Sequence, residues 1–311
     1  MAELLISYGA NINEKDENEG TFLHMAAKYN QIEMAELLIS HGMNINEKNS
    51  IGETTLHIAA NNNHKEMIDF LILHGANFNE EDDIGKTALH IAANDNRKEI
   101  IELLFSYGMN INKKDKYGRT SLHYAVDNNH KDMAEFLISY GANINEKDNF
   151  GKSALHIAAE KNNIDMAEFL ISHGMNINEK DTCGRTALHI AAEKNNKEMV
   201  GFLISHGMNI NEKDNLGETS LHLAANNKKK EMVDFLISLG VDFNIKNKIG
   251  QTALHYAVLR SNKEIVEILI SHGLNINEKD IFGRTAFQIA ANKNNKGIVE
   301  LLISHGADFN S

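Results

Sequence analysis

Apolar positions recur along this chain in short groups divided by polar turns. Between residues 153 and 174, Ala154, Leu155, Ile157, Ala158 and Ala159 form one group, and Met166, Ala167, Phe169, Leu170 and Ile171 form another. Both follow the three-and-four spacing of a helix rather than the strict alternation of a strand. The pair then repeats. Histidines at His24, His57, His90, His123, His156, His189, His222 and His255 step by 33 residues, and the next step lands on Gln288. Nine helix-turn-helix units therefore run from about Asp16 to Ser311. Neither helix of a unit can bury its apolar face alone, so neighbouring units must stack. The length of 311 residues would ordinarily suggest two domains, but the repeat predicts one continuous solenoid over residues 16–311.

Each unit carries its own punctuation. Thr54, Thr87, Thr120, Thr186, Thr219, Thr252 and Thr285, with Ser153 once, precede the first apolar group as N-caps. Paired alanines such as Ala59-Ala60 and Ala92-Ala93 give this first helix a thin face that admits its neighbour closely. Asn30, Asn63, Asn96, Asn129, Asn162, Asn195 and Asn294 end it, because Asn tolerates a left-handed cap. A glycine such as Gly174 closes the second helix, and a polar link, Asn176 to Asp181, leads to another glycine, Gly184.

The clearest unit reads Asp148-Asn-Phe-Gly151-Lys-Ser-Ala-Leu-His156-Ile-Ala-Ala, continuing to Gly174-Met-Asn-Ile-Asn178. It resembles the ankyrin repeat, whose pattern is D-x-x-G-x-T-P-L-H-x-A-A followed by L-L-x-x-G-A-D-x-N, and the resemblance covers essentially the whole chain. It implies an all-α solenoid of stacked helix-turn-helix units with β-hairpin fingers, and a non-catalytic role in protein-protein interaction. The family's proline is absent throughout, and its slot holds Thr55, Ala88, Ser121, Ala154, Ala187, Ser220, Ala253 and Ala286, all acceptable at a helix start. Residues 1–13 match 34–46, so residues 1–15 read as the second half of a truncated repeat. In the first full unit Glu19 occupies the finger glycine's place and Gly20 comes one position late. Neither end carries a polar capping repeat, which predicts a longer array or a truncated start, and self-association through uncapped ends.

Charge and composition narrow the chemistry. Lys+Arg 31 against Asp+Glu 43 gives a net charge of -12, which disfavours nucleic acid and anionic membranes and favours basic protein partners. A single cysteine, Cys183, permits no internal disulfide, and no stretch of 18 apolar residues or signal peptide is present, so an intracellular, cytoplasmic setting is expected, without ruling out the nucleus. The sixteen histidines all belong to the repeat. Eight start first helices, six (His41, His74, His173, His206, His272, His305) precede the closing glycine, and His64 and His130 lie between helices. Rows about 10 Å apart, the spacing of packed helices, are too wide to share a metal ion. Carboxylate pairs such as Glu33 and Glu36 recur as a solvated face, and no phosphate-binding glycine loop appears. No catalytic residue, cofactor or metal site is expected.

The units differ at few positions. Two residues after the finger Asp come Asn18, Ile51, Ile84, Tyr117, Phe150, Cys183, Leu216, Ile249 and Phe282, and two places further on the residue varies among Glu, Lys, Arg and Gln. By the resemblance these are finger-tip and concave-face positions, where partners bind. The candidate protein-binding residues are Ile84, Tyr117, Arg119, Phe150, Lys152, Arg185, Leu216, Phe282 and Arg284, since aromatic residues and arginine dominate interface energetics. The competing readings are that tips pack on neighbouring fingers and vary by drift, that the chain is a passive spacer, or that it is the regulatory or targeting arm of an enzyme outside this chain.

Overall fold

The computed structural model describes Tyr8 and residues 11–308. The predicted half repeat over residues 1–15 therefore lies mostly outside the described residues. Eighteen helices are present among those residues, and the chain divides into two compact units, 1–149 and 150–311. The first unit contains α1 (Phe22–Lys28), α2 (Ile32–Ser40), α3 (Thr55–Asn61), α4 (Lys65–Leu73), α5 (Ala88–Asn94), α6 (Lys98–Ser106), α7 (Ser121–Asp127) and α8 (Lys131–Ser139). The second contains α9 (Ala154–Glu160), α10 (Ile164–Ser172), α11 (Ala187–Lys194), α12 (Lys197–Ser205), α13 (Ser220–Asn226), α14 (Lys230–Ser238), α15 (Ala253–Leu259), α16 (Lys263–Ser271), α17 (Ala286–Asn292) and α18 (Lys296–Ser304).

Odd-numbered helices are the first of each pair, and within each unit they lie against the next odd-numbered helix. The alanine pairs permit this: Ala59, Ala60, Ala92 and Ala93 in the first unit and Ala191, Ala192, Ala224 and Ala225 in the second are fully buried. Met67, Ile68 and Leu71 of α4, and Met232, Val233 and Leu236 of α14, complete the core from the second helix. A residue with a branched or longer chain at the alanine positions would separate the layers, and overpacking of this kind costs about 1–3 kcal/mol.

Each first helix begins with a capping box, closed by histidine in α1 to α15 and by Gln288 in α17. The Thr54 amide donates to His57 Nδ1 at 3.1 Å, and the Thr54 hydroxyl lies 2.8 Å from the same nitrogen. With Nδ1 accepting, the proton sits on Nε2, which donates to the Lys86 carbonyl of the next repeat at 2.9 Å. At Thr285 the hydroxyl accepts from the Gln288 amide at 3.3 Å, as the N-cap reading predicts. All seven asparagines expected to reverse the chain do so, with φ between 54° and 68°. In the remaining two turns Lys228 (φ 58°) and Ser261 (φ 55°) adopt the same left-handed conformation.

The fingers are turns rather than strands; an isolated bridge between Lys15 and Thr21 is the strand-like pairing recorded among the described residues. A side-chain oxygen organises the finger, from aspartate in most repeats and from Asn49 and Asn247 in two. Asp82 Oδ1 accepts from the amides of Ile84 at 2.9 Å and Lys86 at 2.8 Å, and Asp214 does the same for Leu216 and Glu218. Successive tips are tied by backbone bonds, from Lys116 N–H to the Ile84 carbonyl at 3.0 Å in the first unit and from Lys248 N–H to the Leu216 carbonyl at 2.9 Å in the second. Glycine is required there twice over. Gly85 has φ +82°, and a Cβ would meet Lys116 N at 2.5 Å. In the irregular first finger Glu19 itself takes φ 58°, filling the glycine's role despite its side chain. Salt bridges at i, i+32 run along the fingers, including Lys48–Glu80 (3.0 Å), Lys114–Glu146 (2.7 Å) and Lys180–Glu212 (2.7 Å).

Candidate functional site

The tip side chains face outward within each unit. In the first unit Tyr117 is 48% exposed and Ile84 37%. In the second unit Phe150 and Leu216 are each 61% exposed and Phe282 66%. The Asx-type bonds from the finger acid and the tip-to-tip backbone bonds fix where these side chains stand, so a row of apolar groups is presented by rigid turns.

The charged candidates sit differently. Arg119 pairs with Asp127 at 3.3 Å, Lys152 with Glu160 at 2.8 Å and Arg185 with Glu193 at 3.0 Å, each across eight residues from the finger to the end of the first helix. Arg284 instead folds back on its own finger, donating through Nε and Nη2 to Asp280 Oδ2 at 2.9 and 2.8 Å while its guanidinium lies 4.8 Å from the Phe282 ring centroid. The three pairs of Arg119, Lys152 and Arg185 tie a varying finger position to the end of the first helix of the same repeat.

Two first-helix tyrosines, at a place filled mostly by Ile in other repeats, carry signals that the sequence reading passed over. Tyr124 donates to Asp115 Oδ2 at 2.6 Å and packs edge-on to His90. Tyr256 donates to Glu218, accepts from Asn247 Nδ2 at 3.2 Å, and packs edge-on to His222. Burial, then the carboxylate hydrogen bond, pushes both phenols above their ordinary range, and burial raises the Glu218 carboxyl as well. Glu218 borders a shallow groove of about 460 Å³ in the second unit, together with Cys183, Arg185, Leu216 and Leu223. Two of the candidate residues therefore meet at one concavity between adjacent fingers.

The helix-start histidines are structural ties. Burial holds His24, His57, His90, His189, His222 and His255 below the ordinary value, His222 down to about 4. His64 and His130 reach back to the Lys28 and Asn94 carbonyls of the preceding repeat, each at 3.0 Å. His74 and His206 bond through Nδ1 to the carbonyl four residues earlier at 2.8 Å, their rings against Phe70 and Phe202. Among the described residues no group of three or more His, Cys, Asp or Glu is placed to hold a metal ion, and no helix is long and apolar enough to cross a membrane.

Paired short helices stacked through alanine faces, joined by ordered fingers and repeated every 33 residues, define a helical repeat protein. The family model described as ankyrin repeats (3 copies) matches residues 1–82, 56–148, 89–181, 142–214 and 221–311. The chain belongs to the ankyrin-repeat family. A search of the curated proteins finds no match.

Proposed function

We propose that this chain is a non-catalytic scaffold or adaptor that holds a protein partner on its finger tips and the adjoining first-helix face. Ankyrin repeats generally mediate protein-protein interaction. The observation that carries the reading here is the set of exposed apolar tips, Tyr117 in one unit and Phe150, Leu216 and Phe282 in the other, standing on turns that backbone hydrogen bonds hold in place. An overall acidic surface favours partners with basic segments and speeds their encounter. A cytoplasmic location and binding along all nine repeats as a single cooperative array belong to the same proposal. One thermal transition is expected, and two well-separated transitions would remove the cooperative part.

The test is crosslinking capture with mass spectrometry, comparing the parent chain with a variant carrying Tyr117→Ser, Phe150→Ser, Leu216→Ser and Phe282→Ser. Specific partners should be lost from the variant while its thermal midpoint is kept. Identical captured sets would refute tip binding and leave the passive spacer, which nine near-identical units favour.

A further inference from the structure

The net charge of -12 conceals a local reversal in the second unit. The turns joining first and second helices in its last three repeats carry Lys228, Lys229, Arg260 and Lys293, and Lys296 opens α18 directly after the last of them. Four of them are exposed and Lys229 is half-buried. None of the five has a carboxylate at ion-pair distance among the described residues. The neighbouring Lys230 and Lys263 are by contrast already engaged, with Glu264 at 3.0 Å and Glu267 at 3.8 Å. Arg260 is held in place across the repeat boundary, its Nε donating to Asn226 Oδ1 at 2.7 Å.

A second observation is independent of charge. Seven turns place asparagine in the left-handed conformation, but here Lys228 occupies it at φ 58°. A long unbranched side chain gains nothing from that backbone and carries its cost. The turn accepts strain and adds a cation in the same step. We propose that this edge of the second unit binds an acidic peptide segment of a protein partner, a surface separate from the finger tips and independent of them.

The spacing defines the ligand. First helices α13, α15 and α17 follow one another in contact, and packed helices lie about 10 Å apart. An extended peptide advances about 3.3 Å per residue, so a carboxylate at every third position meets one turn after another. Seven residues with Glu at the first, fourth and seventh places span the three turns. The mean acidic field of the rest of the chain is screened beyond about 8 Å at physiological salt, so it does not cancel contacts made at the edge.

The experiment uses the full chain and a fluorescein-labelled heptapeptide, Glu-Gly-Ser-Glu-Gly-Ser-Glu, read by fluorescence anisotropy. Comparison ligands are a peptide of the same composition with its three Glu adjacent, a heptathymidine, and phosphatidylserine vesicles. The spaced peptide should bind most tightly, and its affinity should fall about tenfold in a variant carrying Lys228→Asn, Lys229→Gln, Arg260→Gln, Lys293→Gln and Lys296→Gln. Lys228→Asn alone should raise the thermal midpoint while weakening the peptide, which separates lost binding from lost folding. The finger-tip serine variant should bind the peptide unchanged, so failure of one surface is distinguishable from failure of the other. No peptide binding, equal binding of the clustered peptide, tighter binding of oligonucleotide or vesicles, or unchanged affinity in the charge variant would each overturn the proposal.

Discussion

Acid should loosen the repeats through histidines that water does not reach. His222 is 1% exposed, and both ring nitrogens are committed in the neutral form: Nδ1 accepts from the Thr219 amide at 3.1 Å, and Nε2 donates to the Gln251 carbonyl at 3.1 Å. A second proton would have to enter at Nδ1 and break the capping bond. Burial accordingly lowers this histidine from 6.5 to about 4. In the unfolded chain the ring takes up its proton near 6.5, so between pH 6.5 and about 4 the unfolded state binds more protons than the folded one. The stabilisation is therefore complete above pH 6.5, declines as pH falls, and is lost by about pH 4. At pH 5 the deficit from His222 alone is about 2 kcal/mol. Five further helix-start histidines are lowered for the same reason and steepen the slope. The assay is urea unfolding followed by circular dichroism at pH 7.5 and 5.0 for the parent chain and for His222→Gln. The last repeat supplies the design, since Gln288 Oε1 accepts from the Thr285 amide at 2.9 Å and caps the helix without titrating. His222→Gln should cost about 1 kcal/mol at pH 7.5, from the lost inter-repeat bond, yet lose about 2 kcal/mol less than the parent on acidification. Equal acid losses in the two proteins would refute the linkage.

Other substitutions test the backbone directly by the same unfolding measurement. Lys228→Asn should stabilise by about 1 kcal/mol, because asparagine tolerates the left-handed turn that lysine resists, and a loss of stability would contradict that account. Glu19→Gly should likewise gain about 1 kcal/mol by restoring the residue suited to φ 58°. Gly85→Ala combines left-handed strain with a clash against the Lys116 backbone and should cost about 2–4 kcal/mol, whereas Gly283→Ala, with open space around its Cβ, should cost about 1 kcal/mol; equal costs would show that close approach is irrelevant. Glu80→Gln removes an exposed finger salt bridge to Lys48 and should change stability by less than about 1 kcal/mol.

What the sequence disclosed was whatever the 33-residue period repeats. Helix starts, left-handed asparagines and closing glycines all follow from residues whose backbone preferences are strong, and Thr54, Asn63 and Gly75 stand where those preferences put them. Tyr124 and Tyr256 stood out only as departures from Ile, and nothing local says that their hydroxyls reach Asp115 and Glu218, since Glu218 is 38 residues from its partner. The pairing of Arg119, Lys152 and Arg185 with acids eight residues on was equally hidden, because that separation spans a finger, a cap and a helix and belongs to no helical or strand period. Lys228 and Ser261 escaped for a different reason: the turn's geometry is imposed by the helices on either side, so residues with no left-handed preference are carried into it.

Those cross-finger pairs bear on how a partner would be held. A partner carboxylate approaching Arg185 must compete with Glu193, already 3.0 Å away, and a partner lysine approaching Glu160 must compete with Lys152 and Lys194 at 2.8 and 3.1 Å. Exchanging one half-exposed ion pair for another returns less than about 1 kcal/mol, so these rungs contribute little affinity. Covering an exposed tip is worth more: burying a side chain such as Leu216 or Phe282 stabilises by about 1.5–3 kcal/mol when complete, and each begins more than half exposed. Affinity at the tips would thus come from apolar contact, while the charge sequence of the rungs, basic at Arg119, Lys152 and Arg185 and acidic at Asp127, Glu160 and Glu193, would penalise a partner whose own charges oppose it in register.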